Sequence, residues 1–418
     1  MRLTKPRHRK RIRLIIFVFV IIVATAGIIF FLRSSPEVKL LPVQNAANVL
    51  DSFELSGNGD MGPQNKLENP PAVIKAIYAT NYSAGNEKKL SYLIDLIKKT
   101  ELNAIVIDIK DFSGIVGYDS NLILVNAYGA EEPRIRHINK LIKRLHDENI
   151  YIIGRIAVFE DQKLALARPD LALRNAKNGK LWRTKSGLLW MDTASREVWD
   201  YNVSIAKDVL ARGFDEVNLD YIRFASDGDL NDIAYPVWDG VTSKRKIVKT
   251  FHEYMRNALG DARISADLFG MVTTNKDDLG IGQVLEDALP YYDAIAPMVY
   301  PSHYSPNFIG LKNPALHPYE VVKYSLDAAL KRVNIYEVER SLALAQTATA
   351  DEQLRSVPPE AKAKLRPWLQ DFKLGGNYGS DEVRAQIKAT EEALGEKTNG
   401  WMLWNPRNVY TLGALKLE

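Results

Sequence analysis

The chain has 418 residues, with 55 Lys and Arg against 51 Asp and Glu, and it contains no cysteine. Disulfides, thiol nucleophiles and thiolate metal sites are therefore excluded, and stability must come from a large apolar core. The formal charge of +4 is local: residues 1–33 carry eight basic and no acidic residues, leaving 47 basic against 51 acidic beyond them. That remainder lacks the basic field that nucleic-acid binding favours, so no nucleic-acid partner is expected.

Residues 14–32 are almost wholly apolar and uncharged. At helical rise they are long enough to cross the hydrocarbon layer. Arg2, Lys5, Arg7, Arg9, Lys10, Arg11 and Arg13 precede them, and only Arg33 follows closely. The positive-inside bias then predicts a basic cytoplasmic tail at 1–13, a single-pass membrane anchor at 14–32 and an extracytoplasmic remainder. The alternative is a cleaved secretory signal with Ala24-Thr25-Ala26 as its small-residue site, but the apolar run continues through Ile28 to Leu32. Residues 33–71 are rich in Pro, Gly, Asn and Ser and read as a flexible linker. Residues 72–418 form the remaining domain.

Within that domain two periods alternate. Strand-like runs lie at 75–80, 104–109, 151–159, 216–224, 263–270, 294–300, 366–372 and 401–404. Helical patterns lie at 88–100, 136–148, 198–212, 244–259, 319–331 and 381–394. Strands separated mainly by helices over this length predict an α/β fold, a (β/α)8 TIM barrel. A doubly wound open sheet is the alternative, although no Gly-rich dinucleotide fingerprint follows any strand.

In a parallel α/β protein functional side chains collect at the C-terminal ends of strands. The most informative run is EVNLDYIRF at 216–224: Val217 and Leu219 mark one strand face, Asn218 and Asp220 the other. Strand five adds Asp267 with Ser265 on the same side, and strand seven offers Gln370 and Asp371. Asp220, Asp267 and Asp371 are the candidate catalytic carboxylates. Asp108, Arg155, Trp190, Tyr221, Arg223, Tyr300, His303, Gln370, Trp401 and Trp404 are the candidate substrate-binding residues. Arg223, close to Asp220 in the sequence, is expected to hold it ionised. Asp267 then becomes the acid, and Asp371 a supporting third carboxylate.

Structural roles compete with these. Asp220 with Arg223, and Asp108 with Lys110, are readable as ion pairs. Asp267 is readable as the cap of a turn containing Gly270, and the two tryptophans as core. The insertion at 160–197 is long enough to be a lid or cleft wall, and Asn178-Gly179 predicts a hairpin within it that presents Trp182, Trp190 and Asp192. A Pro-rich connection at 300–318, with His303, Tyr304 and His317, reads as a second wall.

Aromatics beside carboxylates, without cysteine or clustered histidine, point to a carbohydrate cleft with two acids sharing the work. The six histidines show no HExxH spacing and no G-x-S-x-G elbow occurs, so neither a metal, nor a cofactor, nor a serine triad is expected. The chain also resembles the family of glycoside hydrolase barrel domains of bacterial envelope proteins, distant relatives of α-amylase and other retaining glycosidase barrels. The resemblance rests on AIYATNYSAG at 76–85, NAIVIDIKD at 103–111, GFDEVNLDYIRFASDG at 213–228, ISADLFG at 264–270, APMVYPSHY at 296–304, RPWLQDF at 366–372 and GWMLWN at 400–405. Ala225 departs from the proline that this family usually has there. The resemblance implies a (β/α)8 fold and a glycosidase activity; joined to the anchor expected at 14–32, it gives a membrane-tethered glycosidase acting on an extracellular or cell-envelope polysaccharide. A non-catalytic glycan-binding envelope scaffold is the alternative.

Overall fold

The structure, a computed structural model, describes residues 59–346 and 357–418. The expected anchor at 14–32 and the first part of the expected linker lie outside the described residues. Among the described residues no helix is long and apolar enough to cross a membrane.

Eight parallel strands form the frame: β1 (Ile74–Ala79), β2 (Ala104–Lys110), β3 (Tyr151–Ala157), β4 (Glu216–Asp220), β5 (Ile264–Phe269), β6 (Ala294–Met298), β7 (Trp368–Gln370) and β8 (Gly400–Trp404). β1 pairs with β2 on one side and with β8 on the other, Ala76 opposite Met402, so the sheet closes. Closure excludes the open doubly wound sheet. The main helices are α1 (Glu87–Lys98), α2 (Ile138–Asp147), α3 (Arg196–Arg212), α4 (Lys244–Leu259), α5 (Leu285–Ala288), α6 (Pro318–Gln346) and α7 (Ser380–Leu394). The period-2 pattern sorts the strands into two cores. Ile77, Ile105, Ile107, Ile152, Val217, Leu219, Ala266 and Leu403 face the helices, whereas Ala76, Val106, Ile153, Ala296 and Met402 fill the barrel.

Three boundaries differ from the sequence expectation. β4 stops at Asp220 because Tyr221 turns to a φ of +55°, which ends the extended ladder. β7 is short because Pro367, which has no N–H to donate, separates it from the two-residue strand Lys364–Leu365. α6 continues to Gln346 because no Gly or Pro interrupts it; Val338, Leu342 and Leu344 are exposed there, which blurred the apolar period.

Residues 59–71, expected as free linker, are fastened to the barrel wall. Asp60 accepts from the backbone N–H of Asn139 and Lys140 at 2.8 and 3.2 Å, at the start of α2. Gln64 N donates to the Arg212 carbonyl at 3.0 Å, and Leu67 N to Asp215 at 2.7 Å just before β4. Helices run antiparallel to the strands, so this segment descends the outer wall toward the N-terminal ends of the strands. Gly213, at φ +113°, is required here: a Cβ would stand 2.4 Å from the Gln64 carbonyl oxygen.

Candidate active site

The polar side chains of β2 to β5 converge where the alternation predicts. Asp108 of β2 lies opposite Arg155 of β3, and Ala157 opposite Asp220 of β4. Asn218 pairs with Ser265, which brings Asp220 and Asp267 to the C-terminal ends of adjacent strands. Arg155 joins them. Its Nη1 donates to Asp108 at 2.6 Å, its Nη2 to Asp220, and its Nε stands 3.7 Å from Asp267. Three carboxylates thus share one guanidinium buried to 4% exposure.

Their individual partners differ. Asp108 also accepts from the Tyr78 hydroxyl at 2.5 Å. Asp220 accepts from the Tyr221 N–H at 2.5 Å through its second oxygen. Asp267 accepts from Asn218 Nδ2 and Trp368 Nε1, each at 2.8 Å, through one oxygen. Burial first, and then the neighbouring charge of Asp220, push the Asp267 carboxyl above the usual range, against the pull of Arg155, Asn218 and Trp368. Asp108 is also raised by burial, against the pull of Arg155 and the Tyr78 hydrogen bond.

Above this cluster opens a cavity of about 420 Å³, lined by Arg155, Asp220, Arg223 and Asp267 with the rings of Tyr221, Phe269, Tyr300, His303, Trp368 and Trp404 among others. Trp404 stacks on Tyr78 with centroids 3.8 Å apart and meets Trp368 edge-on at 5.6 Å. These aromatic faces suit the C–H faces of sugar rings. Burial lowers the His303 pKa, which favours its neutral form.

Several expectations are corrected. Asp371 is not in the cavity wall: its oxygens accept from Thr411 N and Oγ1 at 2.9 and 2.6 Å, fastening the loop after β8. Burial nevertheless raises its pKa to about 6, against those two bonds. Gln370 is fully buried and accepts from Ser302 N at 3.1 Å, shaping the wall from behind. Trp401 faces the helices with Lys75 over its ring, because residue parity on β8 puts Met402 and Trp404 inside. Trp190 is buried behind Arg223 and Tyr221 rather than in the wall. Asp108 supports Arg155 from beneath the cavity.

The expected ion pairs do not form. Asp220 takes Arg155 rather than Arg223, and Lys110 takes Asp161 at 2.6 Å rather than Asp108. Asp267 bonds Asn218 and Trp368 rather than capping a turn. The Asn178-Gly179 hairpin does form, with Trp182 N donating to the Leu173 carbonyl at 2.9 Å. Its Trp182 packs against Gly228 and donates to the Asp229 carbonyl, while Asp192 holds Val237 N and Trp238 N. The insertion therefore props up the β4–α4 loop.

Sequence reasoning missed Trp368 and Tyr78. Trp368 shares strand parity with Gln370, a signal that was present. The end of strand three also offered Glu160, which was left out of the candidate set; it lies just beyond β3, 5% exposed, and its carboxyl group forms no hydrogen bond or ion pair among the described residues. Burial raises its pKa to about 7, with Arg223 pulling down and Asp220 and Asp227 pushing up.

The acid- and aromatic-lined mouth lies at the C-terminal ends of the strands of a closed (β/α)8 barrel, the face on which enzymes of this fold carry their sites. Residues 76–410 match the family described as a putative glycosyl hydrolase domain; the chain belongs to this family, which places it among the glycosidases. The PgaB (BpsB) glycoside hydrolase domain from Bordetella bronchiseptica is 12% identical, covers 83% of this chain and 100% of its own, and superposes with a TM-score of 0.53, a likeness of fold. A hypothetical protein from Ruminiclostridium thermocellum is 35% identical over 49% of this chain and 98% of that one, with a TM-score of 0.43. The α-galactosidase TtGalA from Thermus thermophilus is 16% identical with a TM-score of 0.47; the match covers 82% of this chain but only 60% of that enzyme. No curated protein matches the sequence.

Proposed function

We propose that the protein is a membrane-tethered glycoside hydrolase that cleaves an extracellular or cell-envelope polysaccharide with Asp220 and Asp267. The observation that carries this reading is the shared Arg155 guanidinium, which binds Asp220 directly and stands 3.7 Å from Asp267 at the base of an open, aromatic cavity. Two acids differently held by one cation take opposite roles. Asp220, bonded to Arg155 and to the Tyr221 N–H, is suited to act as the carboxylate that attacks the anomeric carbon or its water. Asp267, raised by burial and by the charge of Asp220, is suited to hold the proton that the leaving glycosidic oxygen needs. The tyrosines of the wall stay protonated donors: burial pushes Tyr300 well above its usual value, helped by Asp267 and Asp220.

The test uses wild type and Asp220→Asn with a panel of wall and capsular polysaccharides, scored by new reducing ends. Release by wild type alone is expected. Equal release from both would remove Asp220 from the chemistry. The scaffold alternative is favoured by one observation, that Asp267 is 1% exposed with one oxygen already carrying two hydrogen bonds. Glycan binding by both proteins without release from either would select it.

The tether rests on the apolar run at 14–32 and its basic flank. Full-length chain is expected to stay in the membrane pellet after alkaline carbonate washing. Barrel epitopes are expected to be cut by protease added outside cells. Recovery of the intact chain in the wash would sink the anchor.

A further inference from the structure

Arg223 is the second arginine of the cavity wall, and its bonding is unlike that of Arg155. Nη1 donates to the Phe224 carbonyl at 3.1 Å and to Ser226 Oγ at 2.9 Å. Nε and Nη2 make no hydrogen bond among the described residues, and the side chain forms no ion pair there. Neither nitrogen is among the polar atoms shut off from solvent, whereas Arg155 Nε is. The unused pair is the side-on edge of the guanidinium, whose two N–H groups match the two oxygens of an oxyanion.

The group is also held still. Its guanidinium carbon lies 4.7 Å from the ring centre of Trp190 and 4.5 Å from that of Phe269. Clamped between rings and pinned by Nη1, it loses little further freedom on binding a ligand. No acid forms an ion pair with it among the described residues, although Asp220, Glu160 and Asp227 contribute to its field. Asp220 is committed to Arg155, and Glu160 is raised to about 7, chiefly by burial, so it keeps its proton at mildly acidic pH. Asp227 contributes to the local field without an ion pair to Arg223.

We infer that Arg223 forms an oxyanion subsite beside Asp220, and that the substrate is an acidic glycan carrying a carboxylate or phosphate close to the bond that is cut. This rests on the glycosidase reading for its substrate and on Arg223 alone for its selectivity. Neutral glycans offer no anion to the free edge of this guanidinium.

The experiment offers the full chain matched pairs of polysaccharides: uronate polymers before and after carboxyl reduction, and phosphate-bearing wall polymers before and after dephosphorylation. Turnover is followed in wild type, Arg223→Gln and Arg223→Lys, and binding in Asp220→Asn with and without Arg223→Gln. In wild type, removing the anion is expected to lower kcat/KM at least tenfold. Arg223→Gln is expected to bring that ratio close to one, chiefly through KM for the acidic form. Arg223→Lys should keep part of the ratio, since it restores charge without the two-pronged edge. Which pair shows the effect distinguishes carboxylate from phosphate. Cleavage of neutral forms as fast as acidic ones, or a ratio untouched by Arg223→Gln at an unchanged melting temperature, would overturn the subsite while leaving the hydrolase reading intact. Arginine-dependent binding of acidic glycans without turnover would support the subsite and overturn the hydrolase reading. Absence of both binding and turnover across the panel would overturn both.

Discussion

Among the described residues the barrel interior holds a buried arginine–carboxylate cluster at each end, and the two differ in make-up. At the lower end Arg366 of the segment before β7 binds Glu216 of β4, whose oxygens also accept from Ser265 Oγ at 2.5 Å and Tyr151 OH at 3.2 Å. Arg366 meets the carboxylate directly, hydroxyls fill further lone pairs, and Arg263 adds a second positive charge nearby. At the upper end one cation serves Asp108, Asp220 and Asp267, and the cluster opens onto about 420 Å³ of space. In the lower cluster positive charge outnumbers the single carboxylate. The upper one carries more acid than its arginine can neutralise, in keeping with the raised carboxyls of Asp267 and Asp108. Composition is alike at the two ends; the ratio of acids to bases and access to solvent separate them.

This contrast can be broken most directly with one substitution at each end. Asp220→Asn is expected to cost about 10³-fold or more in turnover, by removal of the attacking group, while melting stays near wild type. Glu216→Ala is expected to do the reverse, destabilising the fold by about 3–5 kcal/mol because Arg366 is left buried and unpaired. Denaturant melts beside reducing-end assays check both. A stable Glu216→Ala, or an unfolded Asp220→Asn, would erase the distinction.

Asp267→Asn sharpens it by testing the proton. A loss of roughly 10²–10⁴-fold is expected on natural glycans, with much less on aryl glycosides whose leaving group needs no protonation. Equal losses on both would show that Asp267 is not the donor. The pH profile should be bell-shaped, with its optimum on the acid side of neutrality and an alkaline limb set by loss of that proton.

The smallest effect concerns Asp371. Its folded pKa of about 6 lies above its ordinary value, so its contribution to stability is complete at low pH and fades as pH rises through about 6. Asp371→Asn removes a titrating group, and its melting temperature should fall less than that of wild type between about pH 4 and 6. Turnover is expected within a few-fold of wild type, since the side chain serves the loop after β8. A collapse of turnover in a folded variant would return Asp371 to the catalytic set.

The fold was legible because strand parity is written locally. Val217 and Leu219 against Asn218 and Asp220 declare which face is which, and the same reading places Ser265 with Asp267. Across strands the signal weakens. Nothing near Asp220 in the chain announces that Arg155, and not Arg223, is its partner; the register between β3 and β4 decides that. Trp401 was misplaced by one step of parity, which exchanges the barrel interior for its helical coat. Closure was the least visible element: Tyr78 reaches Asp108, and stacks on Trp404, only because β1 lies between β2 and β8.

The segment that descends the outer wall also has a mechanical consequence. Tension applied at residue 59 meets the bonds of Gly59, Asp60 and Met61 to Asn139 and Lys140 first, then that of Gln64, then that of Leu67. Bonds arranged in that order peel one after another instead of sharing the pull. Stripping Asp60 to Leu67 would lengthen the connection by on the order of 20 Å before any barrel strand felt the force. Were the chain held from its N-terminal side, as proposed above, the wall strap would act as a reserve of slack, extending the reach of the mouth while the eight strands stay closed.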